Sequence, residues 1–204
     1  MMKTTTMKLL PILACTAIAF TGASGALAST TVDFNANSAP TVLASGGTIA
    51  SGDYSFAAGS VLGVLVLDSG SGVSNGTNSL VFLNATTLTI TRSDAGLFDL
   101  GSLDVGFTSG YLDPSEQLKI TGHTGSGDVS VTAALSKTSF SAVLTSGFSN
   151  LTSVTLSVLG NTSSPGYVAI DNLSVTAVPE PETYAMLLAG LGLIPLAARR
   201  RRGA

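Results

Sequence analysis

Charge is what the chain has least of. Only 10% of its 204 residues are Asp, Glu, Lys or Arg, where a soluble domain usually carries about 25%. Trp is absent, and there is one Cys and one His. Each shortage removes a class. A coiled coil or long-helix protein needs Glu, Lys and Arg that are not here. A nucleic-acid binder needs a basic surface, and the net charge is −3. One Cys and one His cannot build a Cys/His metal centre, and a single Cys cannot build a disulfide framework. What is plentiful is Ser and Thr, 52 together, with 23 Gly and 45% hydrophobic residues. Low charge with abundant Thr, Ser, Val and Gly predicts an all-β protein that works outside the cytoplasm.

The N-terminal end reads as a secretory signal, residues 1–28. Lys3 and Lys8 supply a positive start, and Leu9 to Phe20 is an apolar run of 12 residues. Ala26-Leu27-Ala28 then fits the A-x-A cleavage pattern, with the mature chain starting at Ser29. A membrane span would need about 20 apolar residues. The only cysteine, Cys15, lies inside the run. Too little apolar core separates it from Lys8 for a lipidation box.

The C-terminal end, residues 178–204, has three consecutive pieces. Pro179-Glu180-Pro181 is stiff and extended, because each Pro fixes its own φ and pushes its predecessor out of the helical region. Tyr184 to Ala198 is a run of 15 apolar residues, predicted as one short transmembrane helix. It would span about 22 Å at 1.5 Å per residue, under a hydrocarbon core near 30 Å. Arg199, Arg200, Arg201 and Arg202 then act as a cytoplasmic stop. An under-length helix with Gly190, Gly192 and Pro195 inside it suits a temporary anchor.

This order of Pro-Glu-Pro, short apolar helix and terminal Arg cluster resembles the PEP-CTERM sorting signal. The match runs from Val178 to Arg202 and includes Pro-Glu-Thr-Tyr-Ala and Leu-Ala-Gly-Leu-Gly-Leu. The same tail is also labelled an ice-binding protein C-terminal domain, a label for the tail and not for ice affinity. The resemblance implies an exosortase substrate in a Gram-negative bacterium that makes exopolysaccharide. The implied fate is cleavage near Pro179 to Pro181 and passage to the cell surface or extracellular matrix, with exosortase and signal peptidase as the processing enzymes.

Residues 29–177 form the ectodomain. They carry ten acidic and three basic residues (Arg92, Lys119, Lys137), a net of −7, which favours solubility and names no partner. Strands are predicted at 61–67, 80–83, 86–92, 117–121, 129–135, 139–145, 154–159 and 167–176. Thr87, Thr89 and Thr91 alternate with Leu88 and Ile90, the period of a half-buried strand. Gly, Ser, Asn and Asp clusters such as 68–78 and 122–128 separate the runs. Many short strands predict a single β-sandwich or jelly roll, and about 150 residues suffice for its core. In the second half, Phe98-Asp-Leu-Gly-Ser-Leu-Asp, Leu118-Lys-Ile-Thr-Gly, Phe148-Ser-Asn-Leu-Thr-Ser-Val-Thr-Leu and Tyr167-Val-Ala-Ile-Asp-Asn-Leu-Ser-Val resemble a β-sandwich module similar in pattern to carbohydrate-binding jelly rolls.

Chemistry-bearing candidates are few. His123 reads as a surface turn residue, since no second His or Cys could join it at a metal. Gly72-Val73-Ser74-Asn75-Gly76 spells G-x-S-x-G, but that elbow works only between a strand and a helix. Asp33, expected in the first strand, and Asp171, in the last, could share a structural calcium through oxygen ligands. No other cofactor is expected. A Thr row over 87–91 suits a solvent-facing strand side, because ice binding would want a repeated array. No catalytic residue stands out. The reading is a non-catalytic exported surface or matrix protein, associated with exopolysaccharide. The alternative is a secreted β-sandwich hydrolase, which would need two carboxylates across a cleft.

Overall fold

The computed structural model describes residues 28–42, 47–59, 64–68, 72–179 and 187–191. Every described element of the ectodomain is a strand. The first seven are β1 (Thr30–Val32), β2 (Thr41–Val42), β3 (Thr48–Ser51), β4 (Tyr54–Ala58), β5 (Val64–Leu67), β6 (Ser79–Leu83) and β7 (Thr87–Arg92). Then come β8 (Phe98–Gly110), β9 (Gln117–Thr124), β10 (Gly127–Ala134), β11 (Ser141–Leu144), β12 (Leu151–Leu159) and β13 (Gly166–Ala177). All eight sequence-predicted strands are present. The structure adds β2, β3, β4 and β8. It also ends β1 at Val32, so Asp33 stands just beyond the first strand rather than in it.

All pairings are antiparallel, and the strands form one hydrogen-bonded network. It divides into two stretches. The first runs β2-β5-β6-β13-β8, with β11 beyond β8 and β1 end to end with β6 along β13. The second runs β10-β9-β12-β7-β4-β3. Strand β12 meets β8 at Leu151 opposite Phe98, where the sheet curls over on itself. The two stretches thus face each other in a sandwich-like fold.

Alternation explains the packing. In β4 and β7, Tyr54, Phe56, Ala58, Leu88 and Ile90 are buried, while the residues between them are not. Leu118 and Ile120 of β9 and Val154 and Leu156 of β12 join the same core as Leu103, Val105, Val168 and Ile170 from the opposite layer. Phe34, Phe56, Phe82, Phe98 and Phe107 are fully buried, and burial of each side chain contributes roughly 1.5–3 kcal/mol. Phe34 meets Phe56 edge-on at 5.1 Å, and Tyr54 meets Phe98 edge-on at 5.3 Å. Such aromatic contacts add about 0.5–1.5 kcal/mol to the area term.

Tyr54 carries a pH consequence. Burial pushes its phenol above the ordinary value of 10.0, with the Arg92 charge partly opposing. The unfolded phenol ionises first as pH rises, so the folded state holds the extra proton there. Stability is therefore complete below about pH 10 and falls above it. Urea unfolding followed across the alkaline range should show this decline, and Tyr54→Phe should make it shallower. Equal slopes for the two proteins would refute this account.

Candidate functional site

The junction with the tail is tight. The last strand ends at Ala177, and the Val178 amide still donates to the Leu97 carbonyl at 2.9 Å. Pro179 follows at once. A proline has no N–H and cannot extend the ladder, so the β13 ladder ends where Pro-Glu-Pro begins. Residues 187–191 are helical and exposed. No helix among the described residues is long and apolar enough to cross a membrane. Ala28 is described and exposed. Ala26, Glu180, Pro181, the rest of the 184–198 segment and Arg199 to Arg202 lie outside the described residues.

The terminal strands do lie together: β1 pairs with β13, Val32 opposite Leu173. Asp171 is fully buried. Its Oδ2 accepts hydrogen bonds from Asn75 Nδ2 (2.9 Å) and Thr77 Oγ1 (2.7 Å), and its Oδ1 accepts from the Asn172 amide (2.8 Å). Asp33 instead accepts from the Asn35 amide and side chain. It lines an open groove of about 320 Å³ shared with Asp53, Tyr54 and Ala177. Among the described residues no three His, Cys, Asp or Glu side chains are grouped to hold a metal. A calcium at Asp171 would have to displace three donors already in place.

Two of those donors, on Asn75 and Thr77, belong to the 72–78 loop that begins with the G-x-S-x-G letters. No helix follows it; β6 does. The loop is strapped onto the outer side of the first layer. Gly72 has φ +72°, and a Cβ there would overlap Thr108 Oγ1 at 1.6 Å. Gly106 of β8 lies under Val73, where a Cβ would come within 2.8 Å of a Val73 methyl. Val73 packs with Val81 and Ala169 in a small satellite core, joined by Leu67, Phe140 and Tyr167.

One end of the fold gathers exposed polar and aromatic groups. The β8–β9 and β12–β13 loops meet there, with the Tyr111 amide donating to the Pro165 carbonyl at 3.3 Å. Of the three ectodomain tyrosines, Tyr54 is core and Tyr167 is half-buried, while Tyr111 is 56% exposed. Asp113 is held beside it: Oδ1 accepts from the Ser115 hydroxyl (2.6 Å) and amide (2.9 Å), and Oδ2 from Asn161 Nδ2 (3.4 Å). The Ser115 hydroxyl and then its amide hold the Asp113 carboxyl below its ordinary value. Lys137 Nζ donates to the Gly110 carbonyl at 2.7 Å. Beneath this surface, Asn84 and Glu116 are buried and linked at 2.8 Å, and Asn84 also receives the Gly166 amide at 3.1 Å. An isolated Tyr in a Gly/Asp/Pro loop carries no sequence signal for this gathering. It depends on two loops 50 residues apart.

The outer side of the second layer is a hydroxyl face. Registers align Ser130, Thr121, Thr155, Thr89, Ala57 and Thr48 across six strands. Thr87 to Thr91 is part of that face, as a solvent-facing strand side. Lys119 and the Asp128–His123 pair interrupt it. His123 is a strand residue of β9, not a turn residue, because the β9–β10 hairpin turns through Gly125 and Ser126 alone. Its Nδ1 lies 2.9 Å from Asp128 Oδ1 and its Nε2 3.0 Å from Thr155 Oγ1.

Residues 177–202 match the PEP-CTERM protein-sorting motif. No curated protein matches the chain. Among solved structures, TmCBM61 in complex with beta-1,4-galactotriose shows a likeness at 14% identity and a TM-score of 0.35, over 56% of this chain and 82% of that one. A likeness so distant has no bearing on the site.

Proposed function

From a chain that ends in a PEP-CTERM motif, we propose a non-catalytic surface or matrix protein that is exported, cut by an exosortase and held to exopolysaccharide. The observation that carries this is the placement of the motif: Val178 makes the last ladder-end hydrogen bond and Pro179 opens the signal. Signal peptidase would cut after Ala28, leaving Ser29 as the start. The short apolar segment would hold the folded domain outside the inner membrane until cleavage. A protease at the membrane needs an extended strand, and two prolines keep Glu180 and its neighbours from joining helix or sheet.

The polysaccharide contact is assigned to the Tyr111 end. An exposed aromatic face stacks on sugar C–H groups, and Asp113, Asn161 and Lys137 offer acceptor and donor atoms around it. Asp113 is pinned by Ser115, so little order is lost on binding. Tyr111→Ala should weaken retention in affinity electrophoresis with the host's exopolysaccharide about tenfold, a cost of roughly 1.4 kcal/mol. Its melting temperature should not change, because the ring is exposed. Undiminished retention would remove this site.

The hydrolase alternative has one observation in its favour, the Asp128–His123–Thr155 relay. Its three members have the order of acid, base and hydroxyl. They stand on a sheet face, however, with the Asp128 carboxylate 59% exposed, where water screens the charges such a relay depends on. A panel of polysaccharide and ester substrates with wild type and His123→Ala separates the readings. Turnover lost in the variant would favour the enzyme.

A further inference from the structure

We infer that β10 is a self-association edge, at which a second copy of this chain adds its own β10 in antiparallel register. The basis is how unevenly the sheet edges are protected. Among the described residues, β1, β2, β3 and β11 are edge strands of three, two, four and four residues. Such short strands offer little to a partner. Strand β10 has eight residues and, among the described residues, pairs only with β9. It contains no Pro and no Lys or Arg. Its single charge, Asp128, is already engaged by His123. Its inward side chains Val129, Val131 and Ala133 are only partly buried, although they pack on the core. An unpaired row of amides and carbonyls flanked by half-covered apolar side chains lacks one more strand.

The sequence of β10 complements itself. A two-fold axis through Val131, perpendicular to the sheet, sets Val131 opposite the second copy's Val131. Val129 then faces Ala133, Ser130 faces Thr132, and Asp128 faces Ala134. Apolar residues meet apolar ones on the inner side and hydroxyls meet hydroxyls on the outer side. The two Asp128 carboxylates are kept apart, so no like charges oppose each other. The result is an isologous dimer in which two six-strand layers become one continuous sheet.

The test uses the full chain with Cys15→Ala, so that Val131→Cys is its only thiol. Residues directly opposite across an antiparallel pair lie within disulfide reach. Mild oxidation should give a covalent dimer at 131, whereas Thr48→Cys on the short edge β3 should give little. Adding Ser130→Glu and Thr132→Glu sets like charges opposite each other twice in the dimer. In the monomer both sites are exposed, and position 132 faces Lys119. This double change should reduce dimer formation roughly tenfold. Sedimentation of the unmodified chain provides a readout independent of any variant and should show a dimer. A monomer at tens of micromolar, or equal cross-linking at 131 and 48, would overturn the inference.

Discussion

Replacing both Pro179 and Pro181 with Ala should leave the tail uncut. Intact-mass spectrometry of the surface fraction would then find a chain that still carries Arg199 to Arg202. The wild-type chain should start at Ser29 and end near 179–181. The expectation follows from what lies next to the motif. Strand β13 pairs with β8 up to Ala177 opposite Phe98, and Val178 adds one further hydrogen bond. Alanine has the N–H that proline lacks and is the best helix former. Two alanines therefore let the segment prolong the ladder or start the apolar helix early. Either way the extended strand that a protease must hold is lost. Normal processing of the double variant would refute this account of the motif. A wild-type chain that persists uncut in a host with the sorting enzyme would refute the sorting reading as well.

Asp171→Ala should lower stability by about 3 kcal/mol, because a buried carboxylate and the three hydrogen bonds it accepts are removed together. Asn75 Nδ2, Thr77 Oγ1 and the Asn172 amide all lose their partner. For a protein of this size that corresponds to a melting temperature about 6–12 °C lower. Asp171→Asn should cost less, since one carbonyl oxygen remains to accept. Calorimetry with and without a chelator adds a second readout. If the three neutral donors are what satisfy Asp171, the chelator shifts nothing. A chelator-dependent drop that Asp171→Ala abolishes would instead place the calcium there. A loss under about 1 kcal/mol would show that the 72–78 loop does not depend on this clamp.

Long alternating or β-branched runs were legible because their pattern is local. Thr87 to Arg92 and Gln117 to Thr121 each carry their own period. Strand β8 was not, although it is the longest at 13 residues. Gly101, Gly106 and Gly110 interrupt its apolar pattern, and Asp99 and Asp104 add charges to it. Gly106 is in fact a strand residue that makes room for Val73. Strands β2 and β3 are too short to show any period. The 122–128 cluster read as a loop, yet its hairpin needs only Gly125 and Ser126, and this brings His123 into β9 beside Thr155.

The chain order alone determined the sorting signal, because Pro-Glu-Pro, an apolar run and four arginines act in succession and need no fold to be recognised. Composition and local alternation likewise determined the all-β class. Which side chains meet was decided only by tertiary pairing. Asp171 reaches Asn75 across 96 positions, Asp113 reaches Asn161 across 48, and four threonines from four strands share a row. Such contacts depend on ladder register and on the curl at Phe98 and Leu151, and a shift of one residue would send each side chain to the opposite face.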